Sequence, residues 1–191
     1  MVRKKTGALK GSIFEERINE TNEKYREQGV ALVNKFPTPI TPMVQDHKRH
    51  VITLAFFEQK STVDYVGVTG GVPVCFDAKE CSEWSFPLQN IARHQICYME
   101  DFEKQGGVAF LLIWFKREKE DTYCYVPFRL VRKFLARAES GGRKSFRLDE
   151  LDDKWKFYGT GSYPVPYLKM IRTDQQDRCS RQATMSVTVG A

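Results

Sequence analysis

Two aspartates and a lysine are the residues whose types and spacing could do chemistry here: Asp64, and the pair Asp77 and Lys79 within Pro73–Glu80. In a β-strand, residues two apart share a face. Over Pro73–Glu80, Val74, Phe76 and Ala78 therefore point one way, and Cys75, Asp77 and Lys79 the other. That predicts one core face and one face carrying a carboxylate beside an ammonium. Gly70-Gly71 supplies a hairpin turn to the preceding strand, Val63–Val68, so Asp64 can come close to Asp77. Two carboxylates and a lysine converging in mid-sheet are costly to bury unless something compensates them. A divalent metal would. Mg²⁺ takes hard oxygen ligands and keeps several waters, so Asp64, Asp77 and the backbone carbonyl of Ala78 make a sufficient protein shell, in which Mn²⁺ is expected to substitute. Such a metal polarises a phosphodiester and acidifies a bound water. Lys79 could orient that water, assist its deprotonation, or stabilise charge growing on the phosphate. The plain alternative is a cross-strand Asp–Lys ion pair on a solvated sheet face, because an Asp-x-Lys triplet alone is common.

Two helices bear on that choice. Ser12-Ile13-Phe14-Glu15 forms a possible capping box, followed by Phe14, Ile18, Thr21 and Tyr25 at helical spacing and by Gly29 as a stop. Glu15 lies beside the Phe14–Ile18 face and could reach the same site; a simple capping role is the alternative. A second helix is expected from Pro87 to about Lys104, with Leu88, Ile91, Ala92, Met99 and Phe102 marking its inner stripe. Gln95 falls on that stripe, four residues from both Ile91 and Met99. An inward glutamine needs partners, and carboxylates on the sheet could supply them. Further strands are expected over Val30–Lys35, Val51–Phe57, Val108–Phe115 and Thr122–Val126. A basic helix over Phe128–Ala138, short structure at Leu148–Leu151 and a short closing element over Pro166–Arg172 complete the list. This order gives an α/β domain with a mixed central β-sheet flanked by helices.

The chain has 191 residues, 41% hydrophobic and 28% charged, with a net charge of +6. These values fit a globular domain with a real core and favour a polyanionic partner. No apolar run is long enough to cross a bilayer and no signal peptide follows the basic start, so a cytoplasmic location is expected. Five cysteines without CxxC spacing suggest neither a disulfide framework nor a zinc site. Residues 1–11 read as a flexible basic arm, 12–172 as the catalytic domain, and 173–191, which shows no amphipathic period, as a flexible tail. Within the domain, Phe36–Pro42 (FPTPITP) can be neither helix nor central strand, because three prolines hold it extended and remove three donors. Residues 36–50 therefore form a projection or a long connection.

The run Ser61-Thr62-Val63-Asp64-Tyr65-Val66-Gly67, then Phe76-Asp77-Ala78-Lys79-Glu80, then Phe86-Pro87-Leu88-Gln89-Asn90 and His94-Gln95, resembles the RecU family of Holliday junction resolvases. The helix starting Glu15-Glu16-Arg17-Ile18-Asn19, Pro37-Thr38-Pro39 and Gly142-Arg143-Lys144-Ser145 match in the same order, so the resemblance spans most of 11–172. It implies a restriction-endonuclease-like nuclease fold of the PD-(D/E)xK superfamily, with 36–50 as a stalk projecting toward the junction centre. It makes Asp64 and Asp77 metal ligands and Lys79 the catalytic lysine, with Glu15 and Gln95 supporting the site and Thr62 a neighbour. One departure is that the family usually has glutamate at the position of Asp77; the shorter arm would move the metal toward the sheet or weaken its grip, although the superfamily pattern accepts either acid.

Arg129, Arg132, Lys133 and Arg137 give the third helix a basic side, Arg143 and Lys144 follow on a glycine loop, and Lys48, Arg49 and His50 end the proline segment. Such groups suit phosphate contacts that fix register without reading sequence. The expected partner is four-way junction DNA, nicked symmetrically by a homodimer in recombination and repair. The alternatives are a restriction-type duplex nuclease and a non-catalytic DNA-binding protein on the same fold.

Overall fold

Val108–Phe115 is an unbroken apolar run, buried at all eight positions, which is the signature of a strand covered on both faces. It is β7, near the middle of a six-stranded sheet. The computed structural model describes residues 12–37, 40–46, 49, 51–57, 62–116 and 121–189. The expected arm over 1–11, Lys48, His50 and most of the Lys116–Asp121 turn lie outside them.

The elements run α1 (Ile13–Glu27), β1 (Ala31–Lys35), β2 (Ile40–Asp46), β3 (Val51–Phe57), β4 (Tyr65–Thr69), β5 (Val72–Cys81) and β6 (Ser85–Pro87), then α2 (Arg93–Lys104) and β7. After it come β8 (Thr122–Pro127), α3 (Phe128–Glu139), β9 (Ser145–Arg147), β10 (Lys156–Phe157) and α4 (Leu168–Val189). The main sheet has the order β1-β4-β5-β7-β8-β10. Its pairs are antiparallel except β5 with β7, so the α2 crossover joins the one parallel pair. One core layer packs Phe14 and Ile18 of α1 with Phe76, Phe110, Tyr125, Trp155, Tyr167 and Ile171. The other packs Met99 of α2 with Cys75, Leu111, Val126, Phe128, Val131 and Phe146. The mixed sheet is therefore flanked by helices on both sides.

The alternative of a solvated sheet face does not hold: Cys75 and Asp77 are both buried, because α2 covers that face of β5. Two expectations need correction. The second helix does not start at Pro87. A 3-10 turn at Leu88–Asn90 comes first, Ile91 and Ala92 are extended, and the α-helix begins at Arg93. Finally, 173–191 is not a loose tail through Val189, since α4 continues the closing element and buries Asp174 completely.

The proline segment also resolves further than expected. β2 and β3 pair antiparallel as a separate two-stranded sheet, with register shifts between Pro42 and Val44 and between Val44 and Gln45. A proline removes a ladder donor, which is tolerated in such an isolated edge. Among the described residues no helix is long and apolar enough to cross a membrane.

Candidate active site

β4 pairs with β5 only from Tyr65↔Phe76 to Thr69↔Val72. Past Phe76, β5 runs on alone on that side, and Asp64 sits where the next partner would be. Its Oδ2 accepts the Ala78 N–H at 2.9 Å, replacing the missing ladder bond. A residue's N–H and C=O project to the same edge of an extended strand, so the Ala78 carbonyl opens toward Asp64 as well. Asp64 is held from behind by its own carbonyl, which accepts the Phe36 N–H at 2.7 Å at the end of β1.

Asp77 is fully buried. Its Oδ1 accepts from Gln95 Nε2 at 2.5 Å, and Gln95 Oε1 in turn accepts the Ala92 N–H at 3.0 Å. Gln95 is thus a strut: it caps the start of α2 with one end and holds the carboxylate with the other. Lys79 Nζ forms an ion pair with Asp77 Oδ2 at 2.6 Å. Burial and the neighbouring Asp64 charge push the Asp77 carboxyl up to about 7 against the pull of Lys79. The Thr62 hydroxyl, two residues before Asp64, is buried without a partner.

Such a site fits a hard divalent cation. It offers two adjacent carboxylates, one of them fully buried, and a backbone carbonyl on the same strand edge. Among the described residues no three His, Cys, Asp or Glu side chains converge, so oxygens of other kinds must complete the shell.

The structure therefore brings Asp64, Asp77, Lys79 and Gln95 together. Glu15 is held at the start of α1 and by Lys35 of β1, next to Phe36, whose N–H bonds the Asp64 carbonyl. Its Oε2 accepts the Ser12 N–H at 3.2 Å and its own N–H goes to Ser12 Oγ at 3.1 Å, a complete capping box, while Oε1 pairs with Lys35 at 3.0 Å. Glu80, next to Lys79 but on the opposite face, accepts the Phe14 N–H at 3.3 Å and pairs with Lys116, which fastens α1 to the end of β5.

The basic residues divide. Arg129 is spent on Asp174 and on Asp177 at 2.9 Å, and Arg132 reaches Glu103 at 3.5 Å. Glu103 lies eight residues past Gln95, roughly 12 Å along α2 and away from the site. Arg137 pairs with Glu150 and donates to the Ser145 carbonyl at 2.7 Å, and Arg143 also pairs with Glu150 at 3.1 Å. Arg49, Lys133 and Lys144 are exposed. The Lys144 carbonyl accepts the Leu88 N–H at 3.0 Å, which sets that loop beside the turn leading to Gln95. The acidic partners of Arg129 lie in α4, a segment read as tail, so sequence gave no sign that this arginine is committed.

A mixed sheet between helices, with an aspartate ahead of one strand and Asp-x-Lys on the next, defines a protein of the restriction-endonuclease-like nuclease fold. A profile of the family described as RecU, Recombination protein U, matches residues 9–173. The chain is 37% identical over 169 residues to the Holliday junction resolvase RecU of Geobacillus thermodenitrificans, covering 86% of this chain and 83% of that one. To the protein of the same name from Lactococcus lactis it is 39% identical over 167 residues, 85% of this chain and 76% of the other. The protein belongs to the RecU family. The solved Holliday junction resolvase Hjc of Archaeoglobus fulgidus overlays with a TM-score of 0.38 at 11% identity, over 63% of this chain and 78% of that one, a likeness too loose to bear on the fold.

Proposed function

We propose that the protein is a Mg²⁺-dependent endonuclease that resolves four-way DNA junctions by paired symmetric nicks, acting as a homodimer in the cytoplasm. The observation that carries the chemistry is Asp77, a fully buried carboxylate beside Asp64, with the Lys79 ammonium 2.6 Å from its Oδ2. One ammonium leaves the adjacent carboxylates with excess negative charge, which is costly at a buried site unless a further cation compensates it. Asp64, Asp77 and the Ala78 carbonyl would hold it, and Mn²⁺ would serve as well. When bound there, a divalent cation polarises the scissile phosphate and supplies an acidified water. Gln95 keeps Asp77 turned to the site, and Ala78 N–H keeps Asp64 turned to it. Lys79 holds a positive charge beside Asp77, where charge on a phosphate in hydrolysis would grow. The substrate class is supported by the names of the relatives, which are Holliday junction resolvases. Arg143 and Lys144, on the loop beside the Leu88 turn, are the basic residues best placed for DNA; Arg129 is not. We read the β2–β3 hairpin as the stalk entering the junction.

The test is incubation with a mobile four-way junction, a Y-fork and linear duplex, each with Mg²⁺ or EDTA. Paired nicks in the junction with Mg²⁺ only are expected. Equal cutting of linear duplex at a short sequence would make it a restriction-type nuclease, and binding without cutting in any metal would remove the enzyme reading.

A further inference from the structure

We infer that a pocket between α1 and β1 holds a second, non-scissile phosphodiester of the DNA strand being cut, gripped by the amide groups of Asn19 and Asn22. This rests on the nuclease reading above and adds a substrate subsite to it. The pocket has a volume of about 140 Å³ and is lined by Asn19, Asn22, Glu23, Arg26, Asn34 and Lys35, with Val33 at its floor.

Two buried tyrosines decide what the pocket presents. Tyr167 O–H donates to Asn22 Oδ1 at 2.5 Å, and Tyr65 O–H donates to Asn19 Oδ1 at 3.1 Å. Both tyrosine rings are fully buried in the core, so both asparagine carbonyl oxygens are occupied and both amide nitrogens face away from the tyrosines. Asn22 is only 6% exposed, and its Nδ2 has no hydrogen-bond partner. An orphaned buried donor costs about 1–3 kcal/mol, which a ligand oxygen would relieve. The group that fits is therefore rich in acceptors.

Charge and position narrow it further. Arg26 is paired with Glu23 at 2.5 Å and Lys35 with Glu15 at 3.0 Å, so the walls are near neutral and either cation can turn to an incoming anion. The pocket is also tied to the catalytic strand. Tyr65 follows Asp64, Lys35 pairs with Tyr65 across β1 and β4, and Phe36 N–H holds the Asp64 carbonyl. A phosphate a short way along the strand from one at Asp64 would meet amide donors set by the same residues. Backbone phosphates held by neutral amides fix register without sequence.

Asn19→Asp tests this, since Asp keeps an acceptor for Tyr65 but turns the exposed donor into an anion. The full chain in EDTA is titrated into labelled four-way junctions in which a methylphosphonate replaces one phosphate at a time around the cut. One position should weaken the wild type roughly tenfold, the scale of one charge-assisted hydrogen bond. Asn19→Asp should weaken the unmodified junction by a similar factor and show no further loss at that position. Asn22→Asp should do the same if it folds; Asn19→Asp decides the matter where it does not. If Asn19→Asp binds every junction as the wild type does, the subsite is wrong while the junction reading stands. Protection of the wild type from heat by sub-millimolar inorganic phosphate, with unchanged junction affinity in Asn19→Asp, would make the pocket a free-anion site and also overturn the proposal. A wild type that binds no junction overturns the nuclease reading itself.

Discussion

Asp77 ionises only as a buried charge beside a second carboxylate, and that sets how the site meets a cation and a proton. Its carboxyl is pushed up to about 7 in the folded protein, from an ordinary value near 3.8. Between these values the folded state holds a proton that the unfolded chain does not, so this group lowers the stability of the metal-free protein as pH rises from about 4 to about 7. A divalent cation held by Asp77 would have to displace that proton. Metal affinity should therefore fall as pH drops below about 7, and calorimetry in buffers of different ionisation heat should detect proton release near pH 6. Asp64→Asn and Asp77→Asn should each remove the Mg²⁺-dependent rise in Tm and abolish cleavage, while junction affinity in EDTA holds or improves. Cleavage near the wild-type rate in either variant would sink the assignment. Much of this could be read from residue order: period-2 alternation put Asp77 and Lys79 together, and period-3.6 spacing turned Gln95 inward. What alternation could not reveal was that α2 buries the Asp77 face, because cover is supplied by a distant element. Glu15 shows the same limit: a capping box is local and visible in sequence, whereas Lys35 as its second partner depends on where β1 lies.

At the scale of elements, α4 is where sequence reasoning lost most. Its first turns dock through Met170 and Ile171, and its next anchor is an aspartate. An amphipathic period therefore has little to act on. Asp174 takes hydrogen bonds from Arg129, from Tyr125 O–H at 3.0 Å and from Arg178 at 3.2 Å, and Arg178 also reaches Glu103 at the end of α2. Removing one member of a buried ionic cluster leaves the others uncompensated, at a cost of about 3–5 kcal/mol. Asp174→Ala should lose about that much in urea unfolding, and a loss under 1 kcal/mol would show that α4 is not held this way. The β2–β3 hairpin makes the opposite case. Met43, Val44, Ile52, Leu54 and Phe56 are all exposed, so the hairpin gives the core little. Replacing residues 40–57 by a short glycine linker should leave Tm within a few degrees and reduce the preference for junction over duplex. A deletion variant that still discriminates as the parent does would refute the stalk reading. Three prolines announced an extended segment and Val51–Phe57 read as a strand; that Ile40–Asp46 is its partner was not visible, because Pro42 interrupts the strand pattern.

For the whole molecule, the decisive quantity is the number of active sites per engagement. Resolving a four-way junction takes two nicks at symmetric positions on opposed strands, and this chain carries one Asp64/Asp77 site. A two-fold homodimer matches the two-fold symmetry of the junction and aims two equivalent sites at equivalent phosphates. A mixed dimer of wild type and Asp77→Asn separates binding from resolution. It keeps both DNA-binding surfaces and loses one cutting centre, so its junction affinity should equal that of the wild type within about twofold. In a single turnover it should nick one strand and leave the junction unresolved, and on a cruciform plasmid it should give open circles in place of linear product. Sedimentation of the wild type at micromolar concentration should give a mass twice that of one chain. A monomer by sedimentation that still linearises the cruciform in one binding event would show that one site visits both strands, and the dimer model would fail.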